Sequence, residues 1–354
     1  MTDFLQIHLL TAYGPSNLNR DDTGRPKSVV FGGVPRLRIS SQSLKRAWRT
    51  SDVFAARLDG HLADRTQRLG KDLLDRLTKG GIDENRALEI SRNIAGTFGK
   101  LKSEKDDQPT FIEQLAFVSP EERDRAFALA DRALAQVHAG ETVTKPQTDD
   151  LLQRADTAAD IAMFGRMLAD SPKFNREAAT QVAHAMTTHR ANAEDDYYTA
   201  VDDLKSRDEP DDAGAGFVGV QEFGSGVFYL YICVDRELLL RNLDSTGSIR
   251  DASLAALVEA AATVAPRGKQ TSFASRARAF YVLAEKGSVQ PRSLAAAFLK
   301  PVTGSNQGEQ SIAALEDFRD RLDAAYGPCA DDRRIMNVEQ GRGTLNDLLE
   351  FAVG

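Results

Sequence analysis

Cysteine is nearly absent: the 354 residues hold two, Cys233 and Cys329, and neither sits in a CxxC pair. That excludes a disulfide scaffold and a Cys-rich zinc site, and it suits a reducing cytoplasm, the expected location. No apolar run approaches the roughly 18 residues that a spanning helix needs, so no membrane partner is expected. The start, Met1-Thr2-Asp3-Phe4, lacks the basic and then apolar regions of a secretory leader. Histidine is also scarce, at His8, His61, His138, His184 and His189. The last two are five apart, roughly 140° around a helix, which makes a poor chelate. No metal or other cofactor is expected. A GxSxG elbow and a Cys/His dyad are both missing. Gly214-Ala215-Gly216-Phe217-Val218-Gly219 matches GxGxxG, but an acidic stretch precedes it and a strand pattern follows, whereas a dinucleotide site needs a strand before and a helix after.

Positive charge is in deficit overall, 45 Lys and Arg against 52 Asp and Glu, for a formal charge of −7. Nucleic-acid binders ordinarily show the opposite balance. The average conceals a division. Residues 1–50 carry eight basic and three acidic residues, a charge of +5, which leaves −12 on the other 304. Nine acids fall between Glu194 and Asp212, against Lys205 and Arg207. A hydrophobic share of 42% and a charged share of 27% are those of an ordinary globular chain, and the length allows roughly two domains.

Phe4–Thr11 sets Leu5, Ile7 and Leu9 against Gln6 and His8, as a half-buried strand does. Arg36–Ser40 alternates again, with Leu37 and Ile39 on one face and Arg36, Arg38 and Ser40 on the other. Ser40 or Ser41 then caps a helix along which Leu44, Trp48, Ala55 and Leu58 recur. Residues 62–190 read as nearly all helical, with Ser119-Pro120-Glu121-Glu122 as a start signal. Glu194–Asp212 reads as an exposed loop or extended arm. Phe217–Val234 returns to strand, bent at Gly224 and Gly226. Ser253–Ala265 is a helix, Arg267–Gln270 a basic loop, Ala277–Ala284 a strand, and Ile312–Tyr326 and Leu345–Phe351 are helices. Sheet elements on both sides of a helical middle predict an α+β domain with an inserted helical lobe.

Arg20, Lys27, Arg36, Arg38, Ser40, Gln42, Lys45, Arg46 and Arg49 gather donors near one strand–helix junction, where the free N–H groups of a helix start suit phosphate. The same residues also suit a solvated charged face. Asp21 and Asp22 could hold a metal for phosphodiester cleavage, or fix their loop through an Asx turn and ion pairs. His8 is the N-terminal candidate for the acid–base group of an endoribonuclease, although its strand reads as structural.

Asn19-Arg20-Asp21-Asp22, Phe31-Gly32-Gly33 and Arg38-Ile39-Ser40-Ser41-Gln42-Ser43-Leu44-Lys45-Arg46-Ala47 together resemble the CasC family, the backbone subunit of the type I-E CRISPR Cascade complex. Gly165-Arg166-Met167, Tyr198-Thr199-Ala200-Val201-Asp202-Asp203-Leu204, Gln221-Glu222-Phe223-Gly224-Ser225-Gly226-Val227-Phe228-Tyr229 and Gly268-Lys269-Gln270 follow in the family's order. The resemblance implies an RRM-like (ferredoxin-like) palm of residues 1–58 and 213–354, helical fingers over 59–190 whose C-terminal part packs on the palm, and a thumb over 191–212. It implies a non-catalytic subunit, several copies of which line one CRISPR RNA. Each thumb reaches toward a neighbouring copy and displaces a base at a fixed interval, so that the rest can pair with a target DNA strand. The implied partners also include the large, small and guide-end-binding Cascade subunits and a recruited helicase-nuclease. The RNA-binding set is Arg20, Lys27, Ser40, Gln42, Lys45, Arg46, Arg49 and Lys269, with Met167 propping bases and Tyr198 and Thr199 at the thumb. Tyr198 stands where relatives are expected to carry Phe. The acidic run near the thumb, Asp195 and Asp196 included, is suited to a neighbour's basic palm. The alternative is a type III-like backbone subunit that cleaves target RNA with Asp21 or Asp22 and a metal.

Overall fold

A computed structural model describes residues 3–200 and 217–354. The chain begins with β1 (Phe4–Ser16), a polar loop, and the hairpin of β2 (Ser28–Phe31) and β3 (Val34–Ile39). Helices α1 (Ser41–Arg49) and α2 (Asp52–Arg57) follow. The helical spacing from Leu44 to Leu58 predicts one helix, but Ser51 caps a second by accepting from the Phe54 N–H, so the helix divides there.

Residues 62–190 are less helical than their sequence suggests. Helices α3 (Leu69–Lys79), α4 (Glu84–Ala95) and α5 (Pro120–His138) pack around Leu73, Leu77, Ile90, Ile94, Ala126 and Ala130. The short strands β4 (Asp64–Thr66) and β5 (Ala116–Val118) pair beside them, and α6 (Thr148–Leu151) closes this lobe. Ser119 and Glu122 form a reciprocal capping box at the start of α5. After α7 (Ala159–Phe164), β6 (Thr180–Val182) and β7 (Ala185–Thr187) rejoin the main sheet. Three-residue strands are too short to show period 2, so the sequence conceals them.

Strand β8 (Glu194–Ala200) pairs with the first part of the 19-residue β9 (Phe217–Asp235). The predicted arm is therefore an antiparallel ribbon where it is described. Residues 201–212 of the expected thumb, and Gly214 to Gly216 of the glycine motif, lie outside the described residues; Gly219 is in β9, with no helix after it. Helices α8 (Arg236–Asn242), α9 (Gly247–Thr263) and α10 (Gln270–Phe273) lead to β10 (Ala279–Gly287), then α11 (Gln307–Tyr326), β11 (Asp332–Asn337) and α12 (Leu345–Val353).

The main sheet runs β11-β10-β1-β9-β7-β3-β2, antiparallel throughout. Its centre, β10-β1-β9-β7, is the 4-1-3-2 order of a split βαβ unit repeated, with α1 and α9 as the two crossovers. This is the RRM-like palm of an α+β fold. One face carries Leu5, Ile7, Leu9, Ile39, Ile232 and Val282 against Trp48, Phe54, Leu254 and Leu257. The other carries Leu10, Tyr229, Tyr281 and Leu283 beneath Leu294, Phe298, Ile312 and Leu315. So β1 is not half-buried: Gln6 and His8 are as enclosed as Leu5 and Ile7, because α11 and residues 295–298 cover the second face.

Candidate nucleic-acid interface

Single-stranded RNA is commonly read on the open sheet face of an RRM, where aromatic residues stack on bases. Here that face is occupied by α11, so any RNA contact must lie elsewhere. At the edge of the palm, where β3 passes into α1, Arg20 and Arg46 are exposed and Lys27, Arg38 and Lys45 are partly exposed.

Asn19 organises this edge. Its Oδ1 accepts from the Ser40 N–H at 2.8 Å, and its carbonyl accepts from the Lys27 N–H at 2.8 Å. The Arg38 N–H donates to the Lys27 carbonyl at 2.7 Å. Loop 17–27 is thus fastened to the end of β3 and the start of α1. Ser40 is the N-cap, its Oγ accepting from the Ser43 N–H at 3.3 Å, so this predicted RNA ligand already caps the helix. Gln42 is exposed on the first turn.

Arg38 reaches His184, and Lys27 and Lys45 lie near enough for their charges to act on its ring. Arg38 Nη1 donates to His184 Nδ1 at 2.7 Å, and the charges of Arg38, Lys27 and Lys45 all bear on the imidazole. None of the three cations makes an ion pair among the described residues. The Lys45 ammonium lies 5.8 Å from the centroid of Phe164, and burial pushes its pKa down. A second group of cations, Arg20, Arg46 and Arg267, lines an adjacent cleft of about 660 Å³ with Asp21, Ser43 and Gly268. Arg267 Nη2 donates to the Thr50 carbonyl at 2.6 Å, which ties loop 266–270 to the end of α1. A Cβ on Gly268 would stand 2.3 Å from the Leu18 carbonyl oxygen, so only glycine permits this approach. Lys269 follows in the left-handed region at φ 44°, half-buried and without an ion pair among the described residues.

Two basic residues of the expected cluster are used internally. Arg36 does not join the cationic face. It is fully buried and donates to the carbonyls of Phe31, Thr187 and Phe298 at 3.3, 3.1 and 2.8 Å. Arg49 turns toward the fingers, pairs with the buried Asp160 at 3.3 Å and lies 4.9 Å from the Phe117 centroid. It is held at the palm–fingers junction rather than offered to the cleft.

Met167 is neither helical nor core. Gly165 ends α7 at φ 79°, Arg166 and Leu168 turn inward, and Met167 between them is 81% exposed. Tyr198 is opposite Gly219 across the ribbon, and a Cβ there would meet its ring within 2.8 Å. The ring therefore lies over Gly219, 45% exposed, while Tyr197 beside Val220 is 65% exposed on the opposite face. Thr199 is exposed on that opposite face as well. Arg25 pairs with Glu222, and Asn17 Nδ2 donates to the Glu222 carbonyl at 2.9 Å, so the base of the ribbon is tied to loop 17–27.

Asp21 acts as a turn former. Its Oδ1 accepts from the Thr23 N–H and hydroxyl at 2.9 and 2.8 Å and from the Arg25 N–H at 3.0 Å, and the Thr23 hydroxyl holds its pKa low. Asp22 is exposed. Among the described residues no three carboxylate, His or Cys groups come together as metal ligands. His8 is sealed in the core between Tyr229 and Glu285. His184, a neutral neighbour of the cationic group, is not legible in the sequence, because its five-residue spacing from His189 says nothing of Arg38 across the sheet.

A family model described as CT1975-like protein matches residues 5–350. The chain belongs to this family. Two solved chains are similar over nearly their whole length. One is from a CRISPR RNA-guided surveillance complex in a pre-nicking state (TM-score 0.84, 30% identity, 99% of each chain covered), the other from a CRISPR RNA-guided surveillance complex (TM-score 0.74, 27% identity, 99% of each chain covered). No curated protein matches. The resemblance to the backbone subunits of type I Cascade, drawn from the motifs, is borne out by family and fold alike. Among the described residues of this CT1975-like chain no helix is long and apolar enough to cross a membrane.

Proposed function

We propose that this CT1975-like chain is a non-catalytic subunit of a Cascade-type surveillance complex that holds CRISPR RNA by its sugar–phosphate backbone. The observation that carries the reading is the group of Lys27, Arg38 and Lys45, cations without carboxylate partners among the described residues at a capped helix start, continued by Arg20, Arg46 and Arg267. An unpaired basic track costs self-repulsion and suits a phosphate chain. Backbone contacts carry no sequence information, which is what a guide-holding protein needs if pairing is to do the reading. Exposed Met167 and the tyrosine-bearing ribbon supply apolar surfaces against which bases can be propped or displaced. Such copies would line the guide side by side in the cytoplasm, leaving bases free for a target DNA strand and surfaces for the other Cascade subunits and a helicase-nuclease.

The test is salt dependence. Replacing Lys27 and Lys45 with Ala should flatten the slope of log affinity against log salt for single-stranded RNA by about 0.7 per lost contact, about 1.4 in all. An unchanged slope and affinity would reject the proposal.

A further inference from the structure

Resting on the phosphate-binding reading, we propose that His184 is a fourth phosphate ligand in the seat of Lys27, Arg38 and Lys45, and that it takes up a proton when the phosphate arrives. Its position is built into the sheet. Val182 pairs with Ile232 and Met186 with Tyr229, so the strand that carries His184 advances four residues while β9 advances three. The extra residue is a bulge between β6 and β7, a device that re-aims a side chain beside a site. At the same place the strand gains a second partner, since Ala185 and Met186 also pair with Ile39 and Arg38 of β3. The exposed imidazole thereby reaches the Arg38 guanidinium, 2.7 Å away.

Hydrogen-bond inventory assigns the tautomer. Guanidinium has no acceptor, so Arg38 is the donor and Nδ1 of His184 the acceptor. The neutral ring then carries its proton on Nε2, which leaves an N–H donor pointing away from Arg38. The surrounding charges are Arg38 of β3, Lys27 of loop 17–27 and Lys45 of α1, all cationic. Partial burial and these three charges hold the ring below its ordinary pKa of 6.5. An anion seated among them reverses the field and favours imidazolium; the proton goes onto Nδ1, which ends the bond from Arg38 and frees that guanidinium N–H for the anion, so binding and protonation are linked. The sign follows: the bound state has the higher pKa, so affinity rises as pH falls.

The experiment titrates the full chain with a single-stranded RNA oligonucleotide at about pH 7.5 and about pH 5.5, the range in which histidine titrates. His184→Asn keeps an acceptor for Arg38 and removes the ionisable ring. Wild type should bind more tightly at the lower pH, with a salt slope steeper by up to about 0.7, the share of one added cation–phosphate contact. The variant should lack that increment while melting as wild type does. Equal pH responses in the two proteins overturn this inference and leave the phosphate-binding reading standing; absence of RNA binding by wild type overturns both.

Discussion

Single residues in this chain illustrate how one side-chain type takes opposite roles. Glu285 is fully buried and accepts from His8 Nε2 at 3.3 Å, Arg292 Nη2 at 3.2 Å and Arg333 Nε at 2.6 Å. Burial alone would raise its pKa, but the hydrogen bonds from His8 and Arg292 hold it well below the ordinary 4.5. His8, lowered chiefly by burial, is neutral. Tyr229 accepts from the Leu294 N–H at 3.0 Å, and because neutral His8 carries its proton on Nε2 toward Glu285, the Tyr229 hydroxyl donates to His8 Nδ1 at 2.9 Å. Both shifts act in one direction. A depressed carboxylate stabilises the fold above 4.5 and loses that contribution as pH falls further, and a buried neutral histidine begins to lose its contribution as pH falls below 6.5. Acid should therefore lower the melting temperature progressively from about pH 6.5, with a second decline below about pH 4.5. Glu285→Gln should cost on the order of 3 kcal/mol in a denaturant titration, because it leaves buried cations short of a partner. Arg49→Ala should likewise act on stability, by about 1–3 kcal/mol because it leaves the buried Asp160 without its cation, and leave the salt slope of RNA binding unchanged. At this scale the sequence revealed which residues are basic, but not which of them face solvent: Arg36 and Arg38 are two apart in one strand and ended in opposite environments.

Among elements, the boundaries that carry their own chemistry were legible. Ser119-Pro120-Glu121-Glu122 predicts the start of α5, and the capping box stands there, because a cap is a local hydrogen-bonding event. Ser40 caps α1 for the same reason. The strands β6 and β7 were not legible, since what defines them is the partner β9 rather than any period of their own. Loop 266–270 is intermediate. Its basic character is plain in the sequence, yet its role as a clamp on loop 17–27 depends on backbone contact at Gly268. Gly268→Ala should force the two loops apart, at about 1–3 kcal/mol for overpacking, and weaken RNA binding in the same measurement series; a variant with wild-type stability and affinity would show that the contact is dispensable.

For the whole molecule, covering the second sheet face with α11 decides where RNA can go. An RRM-like sheet with both faces filled has only its edges and the start of α1 to offer, and that is where Lys27, Arg38 and Lys45 stand without ion pairs among the described residues. The same geometry bears on the alternative of a target-RNA-cleaving subunit. Asp21 already satisfies one carboxylate oxygen with three donors of its own loop. Incubating the assembled complex with complementary RNA and Mg²⁺ should therefore leave the RNA intact, and periodic cleavage abolished by Asp21→Ala would reverse the assignment.

The chain's own letters determined the alternation at both ends, the helix caps, the concentration of positive charge in the first 50 residues, and the motifs shared with Cascade backbone subunits. These are local properties, set by backbone period, side-chain hydrogen bonding and composition. Tertiary structure alone decided that Gln6 and His8 are buried, that Arg36 and Arg49 turn inward, that Met167 is thrust into solvent, and that His184 joins Lys27, Arg38 and Lys45. Each of those outcomes depends on a segment far along the chain supplying a carbonyl, a carboxylate or a covering helix, and solvent exposure is fixed only when such segments meet.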